Sequence, residues 1–329
     1  MRDRDAATKQ YMSHKDVVAD AFNFYLYGGE QRILPERLRK MDATEVASLY
    51  GKTDGGSVQK IRDELIVWEM MRDEDAVYVI LGIENQTHID YAMPVRDMLY
   101  DALQYARQVE ESKRSYRNRK NTKMNSAEFL SGFRKEDKLM PVITLVVYFG
   151  EESWDGPQSI REMLNTKDEV ILSYVQDYKL NLIVPATIRD EEFDKFHTDL
   201  GAILQFIKHQ SQEDNTWMQG YKRFEQVERE AVDVINKLTG TNINYEESEE
   251  VVNMCRAWDN SMTKAREEGH SAGLKEGHSA GLQEGHSAGL REGISTTKAV
   301  FKAYISGKSA EEIAKELEIP LEEVEELLA

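Results

Sequence analysis

The chain has 329 residues, which is enough for one sizeable hydrophobic core with accessory segments. Lys and Arg number 42 against 60 Asp and Glu, and the formal charge of −18 argues against nucleic-acid binding over the whole surface. The single cysteine, Cys255, excludes an internal disulfide and fits a reducing cytoplasm. The N-terminal sequence lacks a signal-peptide core, and no apolar run reaches the roughly 20 residues of a membrane helix. We therefore expect a cytoplasmic protein without membrane segments.

An amphipathic helix is predicted over residues 13–27, because apolar side chains recur there at helical spacing. Asp16, Asp20 and Asn23 lie three and four residues apart and therefore share one flank of this helix. The sequence GGEQ ends the helix. The polar segment 33–51 that follows is expected to hold a short helix around Leu38.

Two apolar runs, DELIVWEMM and VYVILGI, flank the polar sequence RDED and predict a β-hairpin over about residues 60–86. The second run ends in Glu84, Asn85 and Gln86, so Glu84 and Gln86 share one face of the strand and Asn85 lies on the other. With the turn centred on RDED, Asp63 falls directly opposite Glu84.

The Asp63–Glu84 pair needs an explanation, because opposed carboxylates on neighbouring strands lie roughly 4.5–5.5 Å apart and repel each other. In one explanation, both carboxylates are solvated at the end of a strand. In the other, a divalent cation takes oxygen ligands from both and offsets the repulsion.

The middle of the chain predicts a long helix over 92–111, a buried strand over 142–150, a further strand over 181–188 and helices over 191–239. Strands interleaved with helices indicate an α/β or mixed core. Between the helix and the next strand, six of the eleven residues of segment 113–123 are Lys or Arg. This segment is predicted to be a loop that is either simply solvated or in contact with nucleic-acid phosphates.

A tail begins near residue 246 and contains an eight-residue repeat with a glycine every four residues from Gly269 to Gly293. In an isolated helix each glycine costs up to about 1 kcal/mol against alanine, so the repeat is a flexible linker or a helix packed closely on a partner. The repeated leucines drift about 80° per repeat and form no heptad seam. We expect a helical or partly helical stalk with weak self-association. The repeated histidines lack the spacing of a metal site and follow from duplication.

Residues 296–328 predict three short helices, with Ser309 and Glu312 in a capping box. This segment is similar to helix-turn-helix segments of bacterial regulators. Its second helix, however, carries four glutamates between 322 and 326, where a recognition helix presents Arg, Lys, Asn or Gln to bases. We therefore expect a packing or partner-binding module.

Asp63, followed about twenty residues later by Glu84, Asn85 and Gln86, resembles the D…ExK or ExQ core of the PD-(D/E)xK nuclease superfamily. More narrowly, the chain resembles the Rpn family of recombination-promoting nucleases and transposase-like proteins, in which glutamine replaces the usual lysine. The resemblance extends over most of residues 10–295. Further matching segments are MPVRDMLY, PVITLVVYFGEESWDGPQSIREML, KDVVADAFNFYLYGGEQ and the Gly-Glu repeats.

The resemblance implies a restriction-endonuclease-like α/β fold, with a central mixed sheet flanked by helices and a C-terminal helical tail. It implies that Asp63, Glu84 and the carbonyl of Asn85 hold Mg²⁺ or Mn²⁺, and that Gln86 orients the attacking water. Asp20 resembles an additional catalytic acid, with a surface helix carboxylate as the alternative.

Candidate contacts to DNA, the expected substrate, follow from the same resemblance. Arg96 and Tyr100 match the family's Arg and Tyr on the helix after the core. Arg96 either contacts a phosphate, pairs with a site carboxylate or forms a structural salt bridge. The basic segment adds the candidates Arg117, Arg119 and Lys120.

The expected organisation is a nuclease-like domain over 1–245, a stalk or linker over 246–295 and a helical module over 296–329. The leading hypothesis is a metal-dependent DNA endonuclease in recombination, transposition or defence, forming a homo-oligomer through the repeat. The alternative is a catalytically weak or inactive nuclease-fold protein that binds DNA or protein, which the acidity and the missing lysine favour. A third hypothesis is a transcriptional regulator that uses the C-terminal module.

Overall fold

A computed structural model gives the positions of residues 2–41, 65–70, 79–118, 124–212, 216–246 and 248–329. Within these ranges, no helix has both the length and the apolar character needed to cross a bilayer. The chain divides into two compact units, Met1–Asp259 and Asn260–Ala329.

Both units contain regular elements, which are numbered here in chain order. The helices are α1 (Arg2–Tyr11), α2 (Lys15–Tyr27), α3 (Met93–Asn118), α4 (Ser126–Ser131), α5 (Glu169–Tyr174), α6 (Leu200–His209), α7 (Arg229–Thr239), α8 (Met254–Ile305), α9 (Ala310–Leu317) and α10 (Leu321–Leu328). The strands are β1 (Leu38–Lys40), β2 (Leu65–Met70), β3 (Val79–Gln86), β4 (Val142–Tyr148), β5 (Asn181–Ile183), β6 (Val227–Glu228) and β7 (Val251–Val252).

The first five strands form one mixed sheet in the order β1-β2-β3-β4-β5. β1, β2 and β3 are antiparallel neighbours, and β3, β4 and β5 are parallel neighbours. Parallel neighbours need a crossover connection, and α3 lies in the one between β3 and β4. The predicted hairpin and the predicted mixed helix-and-sheet core are therefore confirmed.

The main core covers one face of this sheet. Leu145 and Val147 of β4 lie in a cluster of buried side chains that includes Phe22 of α2, Phe206 of α6 and Ile235 of α7. The alternate residues of β4 lie on the opposite face, which α3 covers. β4 is buried on both faces, as its continuous apolar sequence predicts for a parallel strand.

Two local expectations were wrong, and one helix was not predicted. Leu38 begins strand β1, and the short helix is a 3-10 turn over Pro35–Arg37. The strand predicted over 181–188 ends at Ile183, because Pro185 lacks a backbone N–H for the ladder and begins a 3-10 turn. α1 was not predicted, since its sequence RDRDAATKQY is mostly polar.

The basic segment is also not the loop that we predicted over its whole length. α3 continues through its first six residues to Asn118, and the remaining residues of the segment lie outside the described ranges. Glu110 lies 3.8 Å from Lys113 and 3.6 Å from Arg114, at helical spacings that support the extension.

The eight-residue repeat is helical throughout, which decides between a linker and a helix. α8 is 52 residues long and runs through all seven repeat glycines. Its first turn packs in the main core through Met254 and Ala257. In the second unit, Val300 near the end of α8 forms a small core with Ile313 of α9 and Val324 of α10. The predicted capping box of Ser309 and Glu312 is confirmed.

Candidate functional site

The carboxyl end of β3 lies in the middle of the sheet. Glu84 pairs with Leu65 on β2 and with Val146 on β4, and Gln86 pairs with Tyr148. Residues paired across neighbouring strands lie on the same face of a sheet. Val146 and Tyr148 pack in a cluster with Met93, the first residue of α3. The register therefore places Glu84 and Gln86 on the face covered by α3, and Asn85 on the face of the main core.

The register differs by two residues from the predicted pairing of Asp63 with Glu84. The observed partner of Glu84 is Leu65. A shift of two residues preserves the face on which each position lies, because side chains alternate with a period of two. Asp63 itself lies outside the described residues.

Arg96 and Tyr100 contact each other on α3, on the same side of the sheet as Glu84. Arg96 donates from Nε and Nη2 to the Tyr100 hydroxyl at 3.3 and 3.1 Å. Its Nη1 lies 2.5 Å from Oδ2 of Asp90, in the connection between β3 and α3. The other carboxylate oxygen of Asp90 accepts the backbone N–H of Ala92 at 2.8 Å. Asp90 thus fixes both the start of α3 and the guanidinium of Arg96.

A second polar group on this face was missed by sequence reasoning. Asp101 of α3 accepts hydrogen bonds from Thr144 Oγ1 at 2.7 Å and from the Tyr178 hydroxyl at 2.8 Å. Burial raises the pKa of Asp101 despite these two bonds, and burial and the nearby carboxylates raise the pKa of Tyr178. Asp97, one turn earlier, is fully buried. The sequence did contain a signal for this group, because Asp97 and Asp101 lie four residues apart on the buried side of the long helix α3.

Asp20, the predicted additional acid, belongs to the other side of the sheet. It is 1% exposed on α2. Its carboxylate accepts the backbone N–H groups of His197 and Thr198 at 2.8–3.0 Å and the Thr198 hydroxyl at 2.7 Å. Burial raises its pKa, and these bonds oppose the rise. Asp20 therefore holds the segment before α6 and is not a surface carboxylate; its predicted catalytic role stays a prediction.

A cleft of about 490 Å³ opens beyond the carboxyl ends of β3 and β4. Crevices at this end of parallel strands are the usual ligand sites of open α/β sheets. The polar side chains that line it include Arg4, Thr87, His88, Tyr91, Glu151 and Gln210. Some are already paired: Thr87 donates to Asp5 at 2.9 Å, and Gln210 donates to Glu151 at 3.0 Å.

The remaining predicted residues are spread over the chain. Arg117 is exposed near the end of α3, whereas Arg119 and Lys120 lie outside the described ranges. Among the residues that the structure describes, no three His, Cys, Asp or Glu side chains are grouped as metal ligands would be. The predicted set of Asp63, Glu84 and Asn85 supplies only oxygen donors, which is the chemistry that Mg²⁺ and Mn²⁺ prefer.

The fold and site define a mixed α/β protein with polar residues at the end of a central strand. The family model of YhgA-like putative transposases matches residues 59–233. Because this range is more than half of the 329 residues, the chain belongs to that family, and the predicted resemblance to transposase-like proteins is confirmed. The searches of curated proteins and of solved structures return no significant match.

Proposed function

We propose that the protein is a metal-dependent DNA endonuclease with a PD-(D/E)xK-type core, acting in transposition, recombination or defence. The observation that carries the proposal is the position of Glu84, Asn85 and Gln86 at the carboxyl end of β3. This strand lies between antiparallel β2, which follows Asp63 in the chain, and parallel β4. Membership of a transposase family supports DNA as the substrate.

Asp63, Glu84 and the carbonyl of Asn85 would hold Mg²⁺, or Mn²⁺ in its place. When bound, the ion supplies Lewis-acid stabilisation of the developing phosphate charge and lowers the pKa of a coordinated water. Gln86 stands where related nucleases have lysine. A neutral amide takes up no proton near neutral pH, so Gln86 orients the attacking water by hydrogen bonding.

Arg96 and Tyr100 would orient the substrate. The Tyr100 hydroxyl and Asp90 fix the guanidinium of Arg96 on the face of Glu84. A fixed guanidinium binds phosphate with little further loss of side-chain entropy, so this arrangement suits a group that positions the scissile phosphate.

The test is nicking of supercoiled plasmid in Mg²⁺, Mn²⁺, Ca²⁺ or EDTA. The wild type is compared with Asp63→Ala, Glu84→Ala and the exposed control Glu225→Ala. We expect cleavage only with Mg²⁺ or Mn²⁺, lost in the two site variants and retained in the control. Equal cleavage by all variants would assign the activity to another site or to a contaminant. If the wild type is correctly folded but inactive with every metal, the nuclease function is rejected and the alternative function without turnover is supported.

That alternative is a nuclease-fold protein without turnover that acts by binding and self-association. The repeat helix supports the self-association. A Cβ added at any of the seven repeat glycines would meet no atom within 4 Å. Leu274, Leu282 and Leu290 are 62, 62 and 54% exposed. We propose that this exposed part of α8 associates with a second copy of the same repeat. Sedimentation of the full chain at increasing concentrations tests this association independently of cleavage.

A further inference from the structure

Among the described strands, β1 lies at the outer edge of the sheet, and it carries two adjacent cations, Arg39 and Lys40. Its first residue, Leu38, is buried in the main core, whereas both cations are exposed. Neither forms an ion pair with a described side chain, although Lys40 lies with Nζ 6.0 Å from the ring centroid of Trp68. Many described cations elsewhere, such as Lys208, are paired with carboxylates.

The sheet register relates this edge to the end of β3. Arg39 pairs with Glu69 and Glu69 with Ile80, which lies four residues before Glu84 on β3. Arg39 and Glu84 therefore lie on the same face, whereas Lys40 pairs with Trp68 and lies on the opposite face of this edge strand. Four residues along and two strands across amount to about 13 Å and about 10 Å, which puts the two Cα atoms about 16 Å apart. Along the helix axis of a duplex, successive phosphates of one strand are ~3.4 Å apart, so about five phosphate steps separate the two positions.

We propose that Arg39 and Lys40 form a basic edge that holds the sugar–phosphate backbone of duplex DNA beside the end of β3. The proposal rests on the proposed function, because DNA placed at Glu84 is what brings a phosphate to this edge. The formal charge of −18 repels DNA as a whole, so local groups of cations have to supply the attraction. Contacts of this kind reach phosphates only, and binding through them is independent of base sequence.

Two other roles would also place cations here. Charged side chains on an edge strand prevent pairing with another chain. Arg39 directly opposite Glu69 also suits a cross-strand pair of opposite charges. The first role predicts an effect on aggregation and the second an effect on stability, but neither predicts an effect on DNA affinity.

The experiment measures fluorescence anisotropy of a labelled duplex of about 30 base pairs, roughly three helical turns, in EDTA so that no cleavage occurs. The full-length wild type is compared with Arg39→Glu/Lys40→Glu and with the control Lys222→Glu/Lys237→Glu. Lys222 and Lys237 are exposed cations outside this edge, and Lys237 lies on α7 in the layer that covers the other face of the sheet. Both variants change the net charge of the chain equally. The reversed edge stays charged and still resists edge-to-edge pairing.

We expect the edge variant to bind at least about tenfold more weakly than the wild type, with a salt dependence lower by about one to two phosphate contacts. The control should stay close to the wild type. Equal affinities of the edge variant and the control overturn the proposal, as does a loss explained by lower stability in a parallel urea titration. If the wild type binds the duplex through Arg39 and Lys40 but does not cleave DNA in Mg²⁺, the basic edge is supported and the nuclease function is rejected. Absence of wild-type binding in EDTA rejects the basic edge, and the nicking assay in Mg²⁺ decides separately on the nuclease.

Discussion

Asp90 and Arg96 form an ion pair that joins the connection after the central strand to helix α3, with Oδ2 and Nη1 2.5 Å apart. Both side chains are mostly buried, at 29 and 21% exposure, so solvent screens the pair only in part. The pair fixes Arg96 beside Tyr100, on the face where the register places Glu84. Its geometry matters for the proposed function because Arg96 has to meet a phosphate in one orientation.

Asp90→Asn should release Arg96 while retaining the acceptor that caps the start of α3, since Oδ1 accepts the N–H of Ala92. We expect a loss of about 1–3 kcal/mol in the free energy of unfolding, together with slower plasmid cleavage. Arg96→Lys keeps the charge but not the planar fork, and it should slow cleavage with a smaller loss of stability. Urea titrations and nicking rates measure the two effects. Unchanged nicking by Arg96→Lys would make the pair purely structural.

Asp20→Ala should destabilise the first unit strongly, because it leaves the buried N–H groups of His197 and Thr198 without their acceptor. We expect a loss of about 2–4 kcal/mol in the free energy of unfolding. Asp20→Asn keeps one acceptor oxygen, and it should lose less, because burial already penalises the charged form of Asp20. The variants are compared by urea titration and by nicking.

The informative result is the activity of folded Asp20→Asn. Nicking at the wild-type rate would reject the catalytic role predicted for Asp20. Complete loss of nicking in a variant of nearly unchanged stability would support that role, despite the hydrogen bonds that occupy the carboxylate.

Much of the fold could be predicted because its signals are local. Continuous apolar runs identify β3 and β4, and a long amphipathic pattern identifies α3. The hairpin register was wrong by two residues, since nothing in RDED fixes the length of the turn. The polar contacts were inaccessible for a different reason: Asp20 meets His197 across 177 residues, and Asp101 meets Tyr178 across 77. Such pairs have no periodicity that a single sequence displays.

Asp101 should make stability depend on pH. Its pKa is raised in the folded protein by burial, so the native state holds this proton more tightly than the unfolded chain does. The stability that protonated Asp101 contributes is therefore fully present below the ordinary aspartate pKa of about 3.9. It is lost as the pH rises through the pKa of Asp101 in the folded protein. Asp101→Asn removes this dependence while keeping an oxygen acceptor for Thr144 or Tyr178.

The free energies of unfolding of wild type and Asp101→Asn are to be compared from about pH 4 to about pH 7, the range above the ordinary aspartate pKa. The difference should move in favour of the variant as the pH rises. The exposed control Glu225→Gln should show no such trend. A difference that stays constant with pH would mean that Asp101 titrates normally.

The repeat glycines allow a final prediction in which helix stability and self-association change in opposite directions. Gly277→Ala, Gly281→Ala and Gly285→Ala together should stabilise α8 in an isolated chain, because each glycine costs up to about 1 kcal/mol against alanine and no atom lies near the added Cβ. In the proposed association, a second copy of the helix packs closely on the glycines. The three methyl groups should then weaken association while helicity rises.

The control Ser271→Ala, Ser279→Ala and Ser287→Ala raises helix propensity without changing the glycines. Circular dichroism gives the helicity, and sedimentation equilibrium gives the association constant. Association that persists in the glycine variant would assign the contact to another part of the chain.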